Sequence, residues 1–171
     1  MAETFRLTLA QLNPTLGALE ANAALARQAW EQGKAAGADM VALTEMFITG
    51  YQTRDLVMKP AFFQDAMAVI DALAKDVADG PALGIGGPWT DGDDLYNAYY
   101  ILQGGRISAR VLKHHLPNDT VFDEVRMFTS ADVGGPYRVG PVRIGSPICE
   151  DAWFDDVTET AAALGLEMVH G

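Results

Sequence analysis

Short stretches of alternating apolar and polar residues, separated by a stretch with helical spacing, run through the first part of the chain. Phe5–Leu12 alternates with a period of two, which predicts a strand. Leu16–Ala36 is rich in alanine and places apolar residues three and four positions apart, which predicts a helix ending at Gly37. Met40–Leu43 is short and apolar and predicts a second strand. A strand, a helix and a strand in this order indicate a β-α-β unit with parallel pairing.

The same patterns assign the rest of the chain. Thr44–Leu56 is predicted to be a loop, because it has no clear period and contains Gly50. Ser130–Gly140 is also predicted to be irregular. The remaining elements are a helix from Pro60 to Gly80, a strand Ala82–Ile85, a hairpin of Leu95–Leu102 and Arg106–Leu112, a strand Val142–Ile148, a helix from Asp155 or Asp156 to Leu164, and a strand Leu166–Val169. Together they predict an α/β fold with a mixed sheet.

Composition and charge narrow the function classes. A chain of 171 residues with 49 % hydrophobic content suits one domain with a sizeable core. The net charge of −11 disfavours nucleic acid and anionic membranes as partners. No apolar run approaches the roughly 18 residues of a transmembrane helix, and the N-terminus lacks a signal-peptide pattern. A single cysteine excludes an internal disulfide, so a soluble cytoplasmic protein is expected.

The predicted last strand follows a helix directly and would leave a sheet edge uncovered. Either another chain covers that edge, as in a homo-oligomer, or the sequence is the front part of a longer protein.

Cys149 is the candidate nucleophile. It lies in SPICEDAWF, where a predicted strand gives way to a helix, so its sulfur could face a cleft. A lone cysteine is more often a small buried apolar residue. The negative charges of Glu150 and Asp151 would raise the pKa of the thiol. A nucleophilic Cys149 therefore needs a base beside it and a cation nearby.

Glu45 and Lys113 are groups of those two types, each at the end of a predicted strand. Glu45 follows Met40–Leu43 at the carboxyl edge of the sheet, where ligands and catalytic groups are common. Lys113 follows Arg106–Leu112, shortly before Pro117 breaks the pattern. A solvated loop carboxylate and a solvated lysine remain the alternatives, because the sequence does not show that the three groups converge.

Two other motifs do not predict a site. His114 and His115 are adjacent, and neighbours in a strand face opposite ways. No C-x-x-C or H-E-x-x-H accompanies them, so a zinc site is not expected and no metal ligand is assigned. Gly84–Gly87 lacks the G-x-G-x-x-G spacing and is interpreted as a turn.

Three segments resemble the Glu-Lys-Cys motifs of the nitrilase, or carbon-nitrogen hydrolase, superfamily. They are TEMFITGY around Glu45, KHHLPNDTVFDEVRMF around Lys113 and PICEDAW around Cys149. Within the superfamily, AQLNPTLGALEANAA, TGYQTRDLVMKPAFF, HLPNDTVFDE and ICEDAW are most similar to the N-terminal glutaminase domains of glutamine-dependent NAD synthetases. The resemblance covers nearly the whole chain. Asp119 departs from it by replacing an aromatic residue, and Thr44 by replacing a proline.

The resemblance implies a four-layer α-β-β-α sandwich of the nitrilase type and a cysteine amidohydrolase mechanism. Glu45 would serve as general base and acid for the nucleophile Cys149. Lys113 and the backbone N–H after Cys149 would stabilise the oxyanion. The resemblance also implies supporting and substrate-binding residues: Glu124 beside the lysine, and Tyr51, Glu150 and Trp153 around the glutamine.

The function implied by the resemblance is hydrolysis of the glutamine side-chain amide, to supply ammonia for ATP-dependent synthesis of NAD from deamido-NAD. A free-standing amidase of the superfamily and a non-catalytic fragment are the alternatives. The glutaminase step needs no cofactor, and ATP and magnesium are expected only in a synthetase domain. Residues 1–171 are expected to form the N-terminal part of the glutaminase domain, in a sandwich that is incomplete at its C-terminal end.

Overall fold

Two β-sheets and the helices beside them are built from residues 4–169, the part of the chain that the computed structural model describes. The helices are α1 (Leu19–Ala35), α2 (Pro60–Asp76), α3 (Glu124–Met127) and α4 (Asp155–Ala163), with 3₁₀ turns at Arg54–Leu56 and Cys149–Trp153. The strands are β1 (Leu7–Leu9), β2 (Met40–Ala42), β3 (Ala82–Thr90), β4 (Leu95–Gln103), β5 (Arg106–Leu112), β6 (Tyr137–Val139), β7 (Val142–Gly145) and β8 (Met168–Val169).

Both sheets are mixed. The larger has the order β1-β2-β3-β4-β5, with β1, β2 and β3 parallel and β3, β4 and β5 antiparallel. The smaller has the order β6-β7-β8, in which β6 pairs with β7 antiparallel and β8 joins β7 parallel. The predicted β-α-β unit is confirmed by β1, α1 and β2, and the predicted hairpin by β4 and β5.

Two apolar cores separate the layers. On one face of the larger sheet, Trp30 of α1 and Ile70 of α2 belong to the same core as Val41 of β2. The other core includes Tyr99 from the larger sheet and Ile144 from the smaller one, so it lies between the two sheets. On the far face of β7, helix α4 approaches within 3.7 Å of where a Cβ at Gly145 would lie. The layers therefore follow the predicted α-β-β-α order.

Gly84–Gly87 forms part of β3, so the prediction of a turn there is wrong. The strand is nine residues long and largely buried. A Cβ at Gly86 would lie 2.2 Å from the backbone nitrogen of Met46, and one at Gly84 would lie 2.4 Å from the hydroxyl of Tyr99. Glycine is needed here because neighbouring groups approach the strand closely, which the spacing of the motif does not reveal.

Three smaller differences concern the other strands. Only Leu7–Leu9 of the predicted first strand is paired, and the strand predicted over Val142–Ile148 ends at Gly145, before Pro147. The stretch predicted to be irregular, Ser130–Gly140, contributes strand β6. Among residues 4–169, no helix combines the length and the apolar character that crossing a membrane requires.

Candidate active site

Glu45 is held by backbone contacts to β3. The N–H of Gly86 donates to the carbonyl of Thr44 over 3.2 Å, and the N–H of Ile48 donates to the carbonyl of Gly86 over 3.1 Å. These bonds lie on either side of Glu45 in the chain and place it where β2 ends. A Cβ at Gly86 would come within 2.7 Å of the Glu45 Cα, so the missing side chain allows this close approach.

Lys113 lies directly after β5 and is fully buried, with none of its side chain exposed. Its Nζ is 2.7 Å from Oε1 of Glu45 and 2.9 Å from Oε2 of Glu124. Burial by itself would lower the pKa of Lys113, but the two carboxylates outweigh it and raise the pKa above its ordinary value. The ammonium is therefore a permanent positive charge at this site.

Glu124 and Asn97 complete a buried polar cluster around Lys113. Asn97, on β4, donates from Nδ2 to Oε1 of Glu45 over 2.7 Å. Glu124 opens α3, and burial raises its pKa although Lys113 opposes the shift. Its contact with Lys113 is an ion pair by distance, but Oε2 makes no hydrogen bond of good geometry within residues 4–169. Asn97 was not predicted, because an asparagine within an apolar strand carries no motif.

Cys149 begins the 3₁₀ turn that follows β7. Its φ of 50° lies in the left-handed region, which is uncommon for a residue other than glycine and often marks a functional position. The residue is exposed, in contrast to the buried apolar cysteine considered from the sequence. The sulfur itself is partly buried, and this burial and then the charge of Glu45 raise the pKa of the thiol, while Lys113 opposes the shift. The resting thiol is therefore neutral, and attack requires a base.

A cavity of about 360 Å³ joins two of these groups. Glu45 and Cys149 both line it, together with Leu9, Ala42, Tyr99 and Pro147 among others. Lys113 lies behind Glu45, within salt-bridge distance of its carboxylate. A carboxylate, an ammonium and a thiol beside one cavity can perform nucleophilic attack on a carbonyl, with proton transfer and charge stabilisation.

Asp151 fixes the turn that carries the thiol to the segment that follows Lys113. Its buried carboxylate accepts N–H groups from Ile148, His114 and His115 at 3.1, 3.1 and 2.7 Å. From the sequence, Asp151 was considered only as a negative charge near the thiol. Its structural role depends on contacts with residues 36 and 37 positions away, which local spacing does not reveal.

The three predicted substrate-binding residues lie outside the lining of the cavity that Glu45 and Cys149 share. Tyr51 and Glu124 line a second cavity of about 360 Å³. Burial and then the charge of Glu45 raise the pKa of Tyr51 to about 12, so its hydroxyl stays protonated.

Glu150 is half-buried, and Trp153 is 84 % exposed. Neither lines the cavity of Glu45 and Cys149, so their role in substrate binding stays a prediction. Asp119, which departs from the family pattern, is exposed beside the segment that borders the cavity of Tyr51.

The two histidines do not alternate as residues of a strand, although they still lack a C-x-x-C or H-E-x-x-H motif. His114 and His115 lie beyond the end of β5, so the alternation of a strand does not apply to them. Both side chains come close to Asp156, and one donor atom from each of the three residues lies within 4.8 Å of the others.

The sequence profile of the family described as carbon-nitrogen hydrolase matches residues 6–171. The chain belongs to the carbon-nitrogen hydrolase family. This confirms the resemblance inferred from the three motifs, and the chain is accordingly a hydrolase domain of the nitrilase superfamily.

Several curated proteins similar to this chain share the name glutamine-dependent NAD(+) synthetase. A glutamine-dependent NAD(+) synthetase of Rhodobacter capsulatus is 61 % identical over 169 residues, which cover 99 % of this chain and 31 % of that protein. Another, of Thermotoga maritima, is 34 % identical over 166 residues, covering 96 % of this chain and 28 % of that protein. The chain thus spans about 31 % and 28 % of the length of these relatives.

Solved structures agree with the fold. A glutamine-dependent NAD+ synthetase of Acinetobacter baumannii superposes with a TM-score of 0.89 at 28 % identity, covering 96 % of this chain and 31 % of that one. An amidase of the nitrilase superfamily from Nesterenkonia superposes with a TM-score of 0.83 at 20 % identity, covering 96 % of this chain and 63 % of that one. The amidase supports the shared nitrilase fold and nothing more specific.

Proposed function

We propose that this chain hydrolyses the side-chain amide of glutamine to glutamate and ammonia. The observation that carries the proposal is the placement of Glu45 and Cys149 on one cavity, with Lys113 paired to Glu45. The name shared by the relatives, at up to 61 % identity among those given above, supports glutamine as the amide.

In the first step, the Glu45 carboxylate takes the proton of the Cys149 thiol as the sulfur attacks the amide carbon. A base is needed at that moment because the pKa of Cys149 is raised. The carbonyl oxygen becomes negative, and the Lys113 ammonium and the backbone N–H of Glu150 stabilise it. Glu45 then gives its proton to the departing nitrogen, the carbon–nitrogen bond breaks, and ammonia leaves.

In the second step, Glu45 takes a proton from water, whose oxygen attacks the γ-glutamyl thioester. The carbon–sulfur bond breaks and Glu45 returns its proton to the sulfur. Glutamate is released, and its new carboxyl group loses a proton to solvent. Glu124 holds Lys113 from the other side, so that the ammonium keeps its position through both steps. No metal or organic cofactor takes part in this scheme.

For a longer protein that would include this chain, we propose that the ammonia serves ATP-dependent formation of NAD from deamido-NAD, as the name of the relatives suggests. ATP and magnesium would bind in the part of the relatives' length that this chain does not span. A cytoplasmic location and a homo-oligomeric assembly belong to the same proposal.

The test compares ammonia release from glutamine, asparagine and a simple aliphatic amide, with Cys149→Ala as the control. We expect turnover of glutamine to exceed that of the other amides by at least about 100-fold in kcat/KM, since a site that pairs with a substrate's polar groups discriminates strongly. Preference for the aliphatic amide would indicate a free-standing amidase. Absence of release from every amide, or release unchanged by Cys149→Ala, would overturn the proposal.

A further inference from the structure

His114, His115 and Asp156 form a cluster at the surface, outside the cavity that Glu45 and Cys149 line. His115 Nε2 is 2.9 Å from Oδ1 and 3.0 Å from Oδ2 of Asp156. His114 Nε2 is 3.8 Å from Oδ2 of the same carboxylate. Two imidazole nitrogens and one carboxylate therefore converge on a small volume, and the mechanism above uses none of them.

The ring of His114 is oriented for its second nitrogen to bind a cation. Nδ1 lies 2.5 Å from the carbonyl oxygen of Ala131, which can only accept a hydrogen bond. Nδ1 therefore carries a proton, and in the neutral ring Nε2 presents a lone pair on the side of Asp156. A metal-binding histidine almost always donates its other ring N–H to a carboxylate, a backbone carbonyl or water, which orients the ring.

The other two donors are also held in place. The ring of His115 stacks on that of Phe154, with 4.0 Å between the ring centres. Oδ1 of Asp156 accepts the N–H of Val157 over 2.8 Å at the start of α4. The backbone N–H groups of His114 and His115 both donate to the buried carboxylate of Asp151. These contacts restrict the rotation of the three side chains, which reduces the entropy lost when an ion binds.

We propose that His114, His115 and Asp156 bind a divalent ion of the zinc class. Two imidazoles and one carboxylate are a ligand set that zinc accepts, and water fills the fourth position. Tetrahedral donors lie about 3.3 Å apart when the zinc–nitrogen bonds are about 2.0–2.1 Å. The printed sequence carries a net charge of −11, which attracts cations to the surface. One donor atom from each of the three residues lies within 4.8 Å of the others, so the side chains must rotate toward one another to reach that spacing.

A bound ion would connect two segments that follow the proposed catalytic residues. His114 and His115 come directly after Lys113, and Asp156 lies shortly after the turn that begins at Cys149. The ion would therefore act as a clamp between the larger sheet and α4, and raise the unfolding temperature of the chain.

The test is a Zn²⁺ titration of the chain by calorimetry near neutral pH, in the Cys149→Ala background so that the thiol cannot serve as a ligand. We expect one ion per chain. We expect affinity to fall at least about 10-fold in His115→Ala and in Asp156→Asn. Asparagine keeps an oxygen for the N–H of Val157, so Asp156→Asn retains the start of α4. Because this background lacks the nucleophile, the result is independent of whether the chain hydrolyses glutamine.

Two matched control variants test whether zinc binding is specific to His114, His115 and Asp156. Asp155→Asn removes the neighbouring exposed carboxylate, and His170→Ala removes the third histidine of the sequence. Both should bind zinc as the background chain does. Co²⁺ offers a second readout, since a tetrahedral site gives visible absorption that His115→Ala should abolish. The proposal is overturned if binding is not saturable, or if Asp155→Asn and Asp156→Asn lower the affinity equally.

Discussion

Lys113 follows a strand of the larger sheet and Cys149 follows a strand of the smaller one, and different contacts hold the two residues. Lys113 is fully buried, and the side chains of Glu45 and Glu124 fix its ammonium. Cys149 is exposed, and its turn is fixed through the backbone, by the N–H groups that Asp151 accepts. The cation is thus held by two carboxylates, whereas the turn that carries the sulfur is held through its backbone.

Substitution of buried Lys113 should have the largest effect on stability and activity. Replacing Lys113 by methionine leaves the carboxylates of Glu45 and Glu124 without their cation in a buried site. We expect the free energy of unfolding to fall by about 3–5 kcal/mol and amide hydrolysis to be lost. Urea unfolding and ammonia release measure the two effects. Lys75→Met, at an exposed lysine of α2, should change neither; equal effects at both positions would refute the distinction.

A substitution at Gly86 shows whether Glu45 depends on its close contact with strand β3. Alanine there would place a Cβ 2.2 Å from the backbone nitrogen of Met46, so the Glu45 segment must shift. We expect a loss of about 1–3 kcal/mol in the free energy of unfolding and a fall in kcat. Gly134→Ala is the control, because its Cβ would meet nothing closer than 4.0 Å. Wild-type kcat in Gly86→Ala would show that the position of Glu45 does not depend on this contact.

Asp151→Asn should weaken the hydrogen bonds that hold the turn of Cys149. One oxygen becomes an amide nitrogen, so N–H groups of Ile148 or of His114 and His115 lose their acceptor. We expect a loss of about 1 kcal/mol per N–H group left unpaired. If Asp151 positions the turn, kcat should fall while KM changes little. A rise in KM alone would instead assign Asp151 to substrate binding, and Asp155→Asn serves as the exposed control.

The smallest expected effect concerns the pH dependence of thiol alkylation. Only the thiolate reacts, and burial followed by the charge of Glu45 raises the pKa of Cys149 in the folded chain. The rate with iodoacetamide should therefore reach its midpoint at higher pH in the folded chain than in the chain unfolded in urea. Glu45→Gln removes one of the raising charges, so the midpoint should move down. An upward shift would contradict the arrangement of charges around the sulfur.

Much of the fold followed from periodicity and turn residues. The β-α-β unit, the hairpin and α4 required only local patterns, and the layer order came from the resemblance to the superfamily. The turn predicted at Gly84–Gly87 is wrong because these glycines allow the close approach of residues far away in sequence, such as Met46 at Gly86 and Tyr99 at Gly84. Strand β6 was missed because its pairing with β7 outweighs the glycines and prolines around it.

The sequence predicts the residues of the site whose side chains are reactive. It does not predict the residues that only hold other groups in position. Cys149, Glu45 and Lys113 follow strand ends and belong to recognisable motifs. Asn97 and Asp151 act through hydrogen bonds to distant segments, and only the folded chain brings those partners together. The convergence of both histidines on Asp156 depends on irregular backbone after β5, which no period describes.

The most direct test of the proposed reaction is labelling with a diazoketone analogue of glutamine, followed by mass spectrometry of the intact chain and its peptides. The diazo carbon must gain a proton before sulfur displaces nitrogen, and we assign that proton to Glu45. We predict one adduct, on Cys149, none in Cys149→Ala, and labelling at least about 100-fold slower in Glu45→Gln. An adduct on another residue, or labelling of Glu45→Gln at the wild-type rate, would contradict the proposed roles of Glu45 and Cys149.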